Sequence, residues 1–202
     1  MDKPVVAAFD FDGTLTRHDT LFPFLLHVAG WTVFIRNLLV LVPILIGYGL
    51  GLIRNDIAKE RVLIRFLSRM SLIDLQIKAE QFAENIVPKL LRHEAIQRLE
   101  WHKQQGHRCI VISASLALYV QLWALSAGLN DVIATNLDTR DDGIITGRLS
   151  GANCFGSEKV RRLEELLGSR EDYTLYAYGD SRGDKELMLF ADHPFYRRFP
   201  NF

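Results

Sequence analysis

Charge of one sign is not in excess: 24 Lys and Arg balance 24 Asp and Glu among 202 residues. Binding a polyanion by counterion release draws on a basic surplus, so nucleic acid is excluded as a partner of the whole surface and any anion site has to be local. Cysteine is almost missing. Cys109 and Cys154 stand far apart and outside any CxxC or Cys/His cluster, which excludes a disulfide framework and a zinc site and fits a reducing cytoplasm. The start, Met1-Asp2-Lys3-Pro4, leads into a short apolar run that ends in acids; it lacks the long apolar core and small-residue cleavage site of a signal peptide. No period recurs and no tract is of low complexity, which excludes a solenoid. With 49% hydrophobic and 24% charged residues, the composition is that of a folded chain, and the length suits one core domain carrying an insertion.

Short β-branched and apolar runs stop at polar residues several times. Val5 to Phe9 runs into Asp-Phe-Asp-Gly, Arg108 to Ser113 precedes a helical pattern over Leu116–Ala127 closed by Gly128, and Tyr173 to Tyr178 meets Gly179-Asp180. Asp131 to Thr135 is a further strand, and Asn136 to Leu149 reads as a hairpin around Asp141-Asp142-Gly143, where Asp-Gly supplies the backbone of a tight turn. Ser157 reads as the cap of a helix through Leu167, and Lys185 to Phe190 as a short helix. Alternating strands and helices predict an α/β fold with a Rossmann-like parallel sheet covered on both faces. Between the first two strands the chain has helical periodicity and no convincing strand. The expected organisation is therefore a core of residues 1–16 and 101–202, with an all-helical cap, 17–100, inserted after the first strand.

Open parallel sheets bind ligands beyond the carboxyl ends of their strands. The polar residues there are Asp10 and Asp12, Ser113, and Asp180 and Asp184, joined by Lys159 in the first turn of a helix. Carboxylates gathered in one crevice repel unless a cation sits among them, and hard oxygen ligands suit Mg²⁺. The Ser113 hydroxyl, the backbone N–H groups of Ala114 and Ser115 at an expected helix start, and the Lys159 ammonium make a phosphate cradle. Singly, an Asp-x-Asp is usually turn chemistry and a Ser after a strand usually a cap; the ordered set carries the inference.

Asp-Phe-Asp-Gly-Thr-Leu-Thr, Ser113, Lys159 and Gly-Asp-Ser-Arg-Gly-Asp resemble, in order and across nearly the whole chain, the four motifs of the haloacid dehalogenase superfamily of phosphohydrolases. The resemblance implies a nucleophilic Asp10 forming an aspartyl-phosphate, Asp12 as the acid that protonates the leaving oxygen and then activates water, and Ser113, Ala114 and Lys159 as phosphate ligands. It also implies Mg²⁺ held by Asp10, the Asp12 carbonyl and Asp180, with Asp184 in support. The insertion resembles the helical cap of the subfamily that includes phosphoserine phosphatase. That subfamily has Glu where Asp19 stands and Asn where Gly183 stands, so an amino-acid substrate does not follow, and Asp19 reads either as a substrate contact or as a simple helix cap.

The cap carries one unusual stretch. Residues 37–53, between Arg36 and Arg54, hold no charge, and Pro43, Gly47, Gly49 and Gly51 predict an interrupted apolar hairpin. Arg61, Arg65 and Arg69 follow at helical spacing as a basic stripe. Two occupants fit: an anionic lipid surface at the inner face of the cell membrane, reached by shallow insertion, or the cap interior or a second copy of the chain. This arrangement resembles the phosphatidylglycerophosphatase C group, whose members act on a membrane-lipid phosphomonoester. The rivals are a phosphatase of a soluble metabolite such as phosphoserine, a phosphoacceptor signalling domain, which needs neither Asp12 nor a cap of this size, and a catalytically silent lipid-binding protein, which could lose a core acid.

Overall fold

A computed structural model describes residues 3–200; positions 1–2 and 201–202, the ends of the expected core segments and the start of the sequence read against a signal peptide, lie outside them. The strands are β1 (Val5–Phe9), β2 (Arg108–Leu116), β3 (Asp131–Thr139), β4 (Ile145–Ser150), β5 (Thr174–Gly179) and β6 (His193–Tyr196). The helices are α1 (Leu21–Ala29), α2 (Trp31–Gly49), α3 (Asn55–Leu67), α4 (Leu72–Asn85), α5 (Val87–Leu90), α6 (His93–Gln104), α7 (Ala117–Ser126), α8 (Ser157–Leu167) and α9 (Lys185–Phe190). One six-stranded sheet has the order β4-β3-β2-β1-β5-β6, parallel throughout except for the antiparallel edge strand β4. The strand β6 was not expected, because a four-residue run containing Pro194 has little periodicity to read.

Side chains of a strand alternate between faces, and β1 divides accordingly. Ala7 and Phe9 join a core with α6, α7 and the cap helices, whereas Val6 and Ala8 join a second core with Leu163 of α8 and Leu187 of α9. Burial on both faces explains why the central strands are almost uninterruptedly apolar. Phe9 pairs with Val111 on one side and Tyr178 on the other, so β1 and β5 finish at nearly one level, and β2 runs on past them toward Ser113 and Leu116.

The chain enters and leaves the cap through a paired neck: Thr16 bridges Leu91, Arg17 N–H donates to the Leu90 carbonyl, and Arg92 N–H to the Leu15 carbonyl. The boundary expected at residue 100 falls inside α6, whose Arg98 and His102 both hydrogen-bond the Tyr178 hydroxyl of β5 at 2.8 Å. That helix packs with the core. The cap is also fixed to the far edge of the sheet. Arg69 N–H donates to the Ile145 carbonyl, Ile145 N–H to Met70 and Leu72 N–H to Gly143, while Gly147 of β4 lies so close to α3 that a Cβ there would stand 2.4 Å from Ile64 Cα.

Three expectations need correction. The apolar stretch is one continuous helix, α2, running through Pro43, with the glycines gathered at its end and in the turn to α3. Proline removes one i→i−4 hydrogen bond, which a 19-residue helix survives. Only Phe34, Asn37 and Leu41 of α2 are buried, and it is the only helix among the described residues that is long and apolar enough to cross a membrane. Ser157 is the first helical residue of α8, the cap position being Gly156 with φ of 64° and no side-chain bond. Ala114 and Ser115 lie in the last part of β2, not in a helix start, because β2 re-pairs with β3 after a bulge, Leu116 opposite Thr135.

Candidate active site

Asp10 follows β1 and is held there by its own N–H, which donates to the Tyr178 carbonyl at 2.8 Å. Its Oδ1 accepts from Lys159 Nζ at 2.6 Å, and the same ammonium donates to Asp184 Oδ1 at 2.6 Å. All three side chains are buried. Asp180, after β5, is half-buried, and Asp10, Asp180 and Asp184 can each present an oxygen within 4.8 Å of the others. The expected carboxylate cluster is therefore assembled, with Lys159 bound into it from the opposite side of the sheet.

Three carboxylates share one ammonium, and their protonation reflects it. Burial pushes the Asp10 carboxyl up to about 8 against the pull of Lys159, with Asp184 adding to the rise. Burial and Asp184 raise Asp180 as well. Burial opposes the charge of Asp184, but Lys159 and the Ser181 hydrogen bonds hold it below its ordinary value; for Lys159, Asp10 and Asp184 more than offset burial and raise its pKa. A divalent cation is what this donor set fits: hard oxygens, excess negative charge and a desolvated setting. Asp184 Oδ2 already accepts from Ser181 N, Ser181 Oγ and Asp180 N at 2.8–3.2 Å. The oxygens left for a metal are those of Asp10 and Asp180, with Asp184 supporting. The Asp12 side chain is not part of that cluster.

Asp12 instead faces the cap. Thr20 donates to its Oδ1 through both N–H, at 2.9 Å, and Oγ1, at 2.6 Å, and Ser115 Oγ donates to Oδ2. Burial, then the charge of Asp19, raises its carboxyl to about 6. The turn that follows Asp12 requires glycine: Gly13 has φ of 75°, and a Cβ there would meet the Asp180 carboxylate at 2.4 Å. Ser113 is buried, and its Oγ accepts from Ser115 N–H at 3.0 Å. The Ser115 amide is thus engaged rather than free, leaving the Ser113 hydroxyl and the Ala114 N–H as the expected phosphate donors in this loop.

Asp19 is exposed and accepts from Leu21 N–H at 2.9 Å, the local turn bond of a helix entry, yet it also lines a cavity of about 170 Å³ beside Asp12. Arg61 and Arg65 point to solvent on α3, so neither joins the acids. The α3 cation that does reach the crevice is Lys59, which sequence reasoning missed. Its Nζ donates to the Ala114 carbonyl and, at 2.9 Å, to Asn153 Oδ1. Thr20 and Asn153 were missed as site residues too, and Ser115 was expected to act through its N–H rather than through the hydroxyl that holds Asp12; a lone Ser, Thr or Asn carries only a weak local signal. Phe155 occupies the space above Gly183, where a Cβ would meet the ring at 2.5 Å, so a side chain larger than hydrogen does not fit there.

The family model described as haloacid dehalogenase-like hydrolase matches residues 7–189. Protein CicA of Caulobacter vibrioides is 37% identical over 199 residues, 98% of this chain and 87% of the relative. Among solved structures, a protein of unknown function from Bordetella pertussis Tohama I superposes with a TM-score of 0.83 at 25% identity, covering 95% of this chain and 89% of that one. A phosphoserine phosphatase described as a phospho-aspartyl intermediate analogue superposes with a TM-score of 0.64 at 18% identity, covering 96% and 86%; at that identity the likeness is one of fold.

Proposed function

The chain belongs to the haloacid dehalogenase-like hydrolase family, and from that premise we propose that it is a Mg²⁺-dependent phosphomonoester hydrolase working through an aspartyl-phosphate on Asp10, with a membrane phospholipid phosphate such as phosphatidylglycerophosphate as substrate. The observation that carries the chemistry is the meeting of Asp10, Lys159, Asp180 and Asp184 at one crevice with Asp12 beside it. A bound Mg²⁺, held by Asp10 and Asp180 with the Asp12 carbonyl and Asp184 in support, supplies charge neutralisation between nucleophile and phosphate. Lys159 fixes Asp10 Oδ1, leaving Oδ2 to attack phosphorus. The bond to the leaving oxygen breaks as Asp12 gives that oxygen its proton. Water then attacks the phosphorus, its proton passes to Asp12, and Asp10 leaves as carboxylate. Ser113, the Ala114 N–H and Lys159 orient the phosphoryl oxygens.

The lipid part of the reading rests on where the site opens. A cleft of about 960 Å³ reaches Asp180 and Ser181 and is walled by Tyr48, Gly51, Ile53 and Arg54 of the α2–α3 turn. That turn exposes Leu50 at 70% and Leu52 at 80%, and the outer face of α2 exposes Trp31 and Leu39 at 67% each. An apolar rim with Arg54 and Arg61 beside it suits shallow docking on an anionic bilayer at its cytoplasmic face. A catalytically silent lipid-binding protein would not need to retain the whole acid set.

The test is Mg²⁺-dependent phosphate release from phosphatidylglycerophosphate in mixed liposomes, beside phosphoserine and sugar phosphates, with Asp10→Asn as the blank. The expected result is preference for the lipid and no turnover by the variant. Preference for phosphoserine would assign the enzyme to a soluble metabolite and the apolar face to a second copy of the chain.

A further inference from the structure

Asp180 is the least restrained of the three clustered acids. Asp10 is fixed by Lys159, and Asp184 by Lys159 and Ser181, whereas among the described residues the Asp180 carboxylate accepts only from Thr14 Oγ1, at 3.4 Å. Its direction is therefore set by its own backbone. On the N–H side, Asp184 Oδ2 accepts from Asp180 N and Ser181 N at 3.2 and 2.9 Å. On the carbonyl side the grip comes from Arg197, 17 positions further on, whose Nε donates to the Asp180 oxygen at 2.7 Å. The Arg197 N–H also donates to the Gly179 carbonyl at 2.8 Å. One residue thus takes two successive carbonyls where β5 gives way to the acidic loop.

Arg197 holds that place in a left-handed conformation, with φ of 56°. A long side chain adopts it at a cost, and it persists only where surrounding bonds over-determine it. Strand β6 supplies the approach, since Tyr196 pairs with Gly179 and delivers the next residue over the loop. Arg197 and Phe199 then share a seam with Gly13, Thr14 and Asp180. Arg92 of the cap neck enters the same seam, donating to the Gly13 carbonyl at 3.0 Å with its guanidinium over the Phe199 ring. Both acid-bearing turns are therefore braced from behind, and the segment after β6 is the brace of the second.

We propose that Arg197 is a positioning residue for the metal: by fixing the Asp180 carbonyl it aims the carboxylate at the point where a divalent cation also meets Asp10. This rests on the metal-dependent reading of the site. Bracing is separable from charge, because the two have opposite signs. A bare cation beside a metal site repels Mg²⁺, so its removal would tighten binding. Removing a group that orients a metal ligand loosens it.

The test is calorimetric titration of Mg²⁺ into the full chain without substrate. Arg197→Ala is expected to raise the Kd by about 10- to 100-fold, the range for a residue that supports a metal ligand. Arg197→Lys, which keeps a donor and the charge, recovers part of the loss. Arg198→Ala removes the neighbouring exposed charge, which makes no hydrogen bond to the loop among the described residues, and leaves the Kd unchanged. Coupling is reciprocal, so Mg²⁺ should slow amide hydrogen exchange over residues 193–199 in the native protein and not in Arg197→Ala. With 4-nitrophenyl phosphate, excess Mg²⁺ should restore the kcat of that variant. Unchanged or tighter Mg²⁺ binding by a folded Arg197→Ala overturns the proposal. Should that variant not fold, the native exchange experiment decides, and protection confined to the Asp10 and Asp180 loops overturns it equally. A native chain that binds no Mg²⁺ would instead remove the metal-dependent reading itself.

Discussion

Two carboxyls two residues apart have been given different work by their neighbours. Asp12 sits near 6 because burial and then Asp19 disfavour its charge, which places a proton donor close to neutral pH. Leaving-group protonation uses the protonated form, so kcat/KM for an alkyl phosphate is expected to fall up to about tenfold per unit as pH rises above about 6. The fall should be much weaker for 4-nitrophenyl phosphate, whose leaving group needs no proton. Asp19→Asn removes a charge that raises Asp12, so the limb moves to lower pH; pH–rate profiles with the two substrates check this, and identical, unmoved limbs would contradict it. Asp12→Asn is expected to cost about 10²- to 10⁴-fold with the alkyl substrate. Asp10 is raised to about 8, so its folded-state proton stabilises the metal-free protein fully below the ordinary carboxylate pKa, and that contribution is lost as pH rises through about 8. Mg²⁺ has to displace that proton, so its affinity should rise by up to about tenfold per pH unit from 6 to 8 and level above. Calorimetric titrations in buffers of different ionisation enthalpy would show up to one proton released. The positions of Asp10, Asp12, Lys159, Asp180 and Asp184 were legible because each lies just past a strand end or at a helix start, a local pattern, and Ser113 because the apolar run of β2 stops at it, although the strand resumes pairing at Leu116. Lys59 was not, since its partners Ala114 and Asn153 are 55 and 94 positions away and nothing in its own helix distinguishes it from Arg61 or Arg65.

At the scale of elements, five of the strands, β4 as the second arm of the expected hairpin, and the helices α7, α8 and α9 could be read from runs and periodicity, whereas the short β6 and two larger features could not. The continuity of α2 is one: Pro43 carries a fixed local penalty, and whether a helix absorbs it depends on the packing of Phe34, Asn37 and Leu41 before it and of Ile44 and Leu45 after it. The docking of α3 on the edge strand is the other, since it depends on a backbone approach that only the assembled hairpin creates. Gly147 has φ of 81° as well as the close approach to Ile64. Gly147→Ala combines left-handed strain, about 1–3 kcal/mol, with displacement of α3. Urea denaturation is expected to register a loss of at least that size, together with a raised KM as the cap shifts; a change below about 0.5 kcal/mol, the size of an ordinary surface substitution, would show that the hairpin yields at no cost.

For the whole molecule, zero net charge conceals a separation of surfaces, with acids gathered in the crevice and an apolar face on the cap that has Arg54 and Arg61 beside it. If that face docks on lipid, Leu50→Glu with Leu52→Glu is expected to abolish flotation with anionic liposomes while 4-nitrophenyl phosphate turnover persists; unaltered flotation would place the contact elsewhere. The cap's dependence on β4 has a further consequence, in time. A ribosome delivers the apolar helix α2 and then α3, but the strand against which α3 closes follows roughly 80 residues later. At about 5–20 residues per second, that leaves an interval of roughly 4–16 s. During it the cap has no sheet edge to rest on, and Leu39, Leu50 and Leu52 are presented to solvent beside side chains that the finished core will bury. The nascent chain, rather than the folded protein, is therefore the species most in need of a chaperone or a nearby membrane.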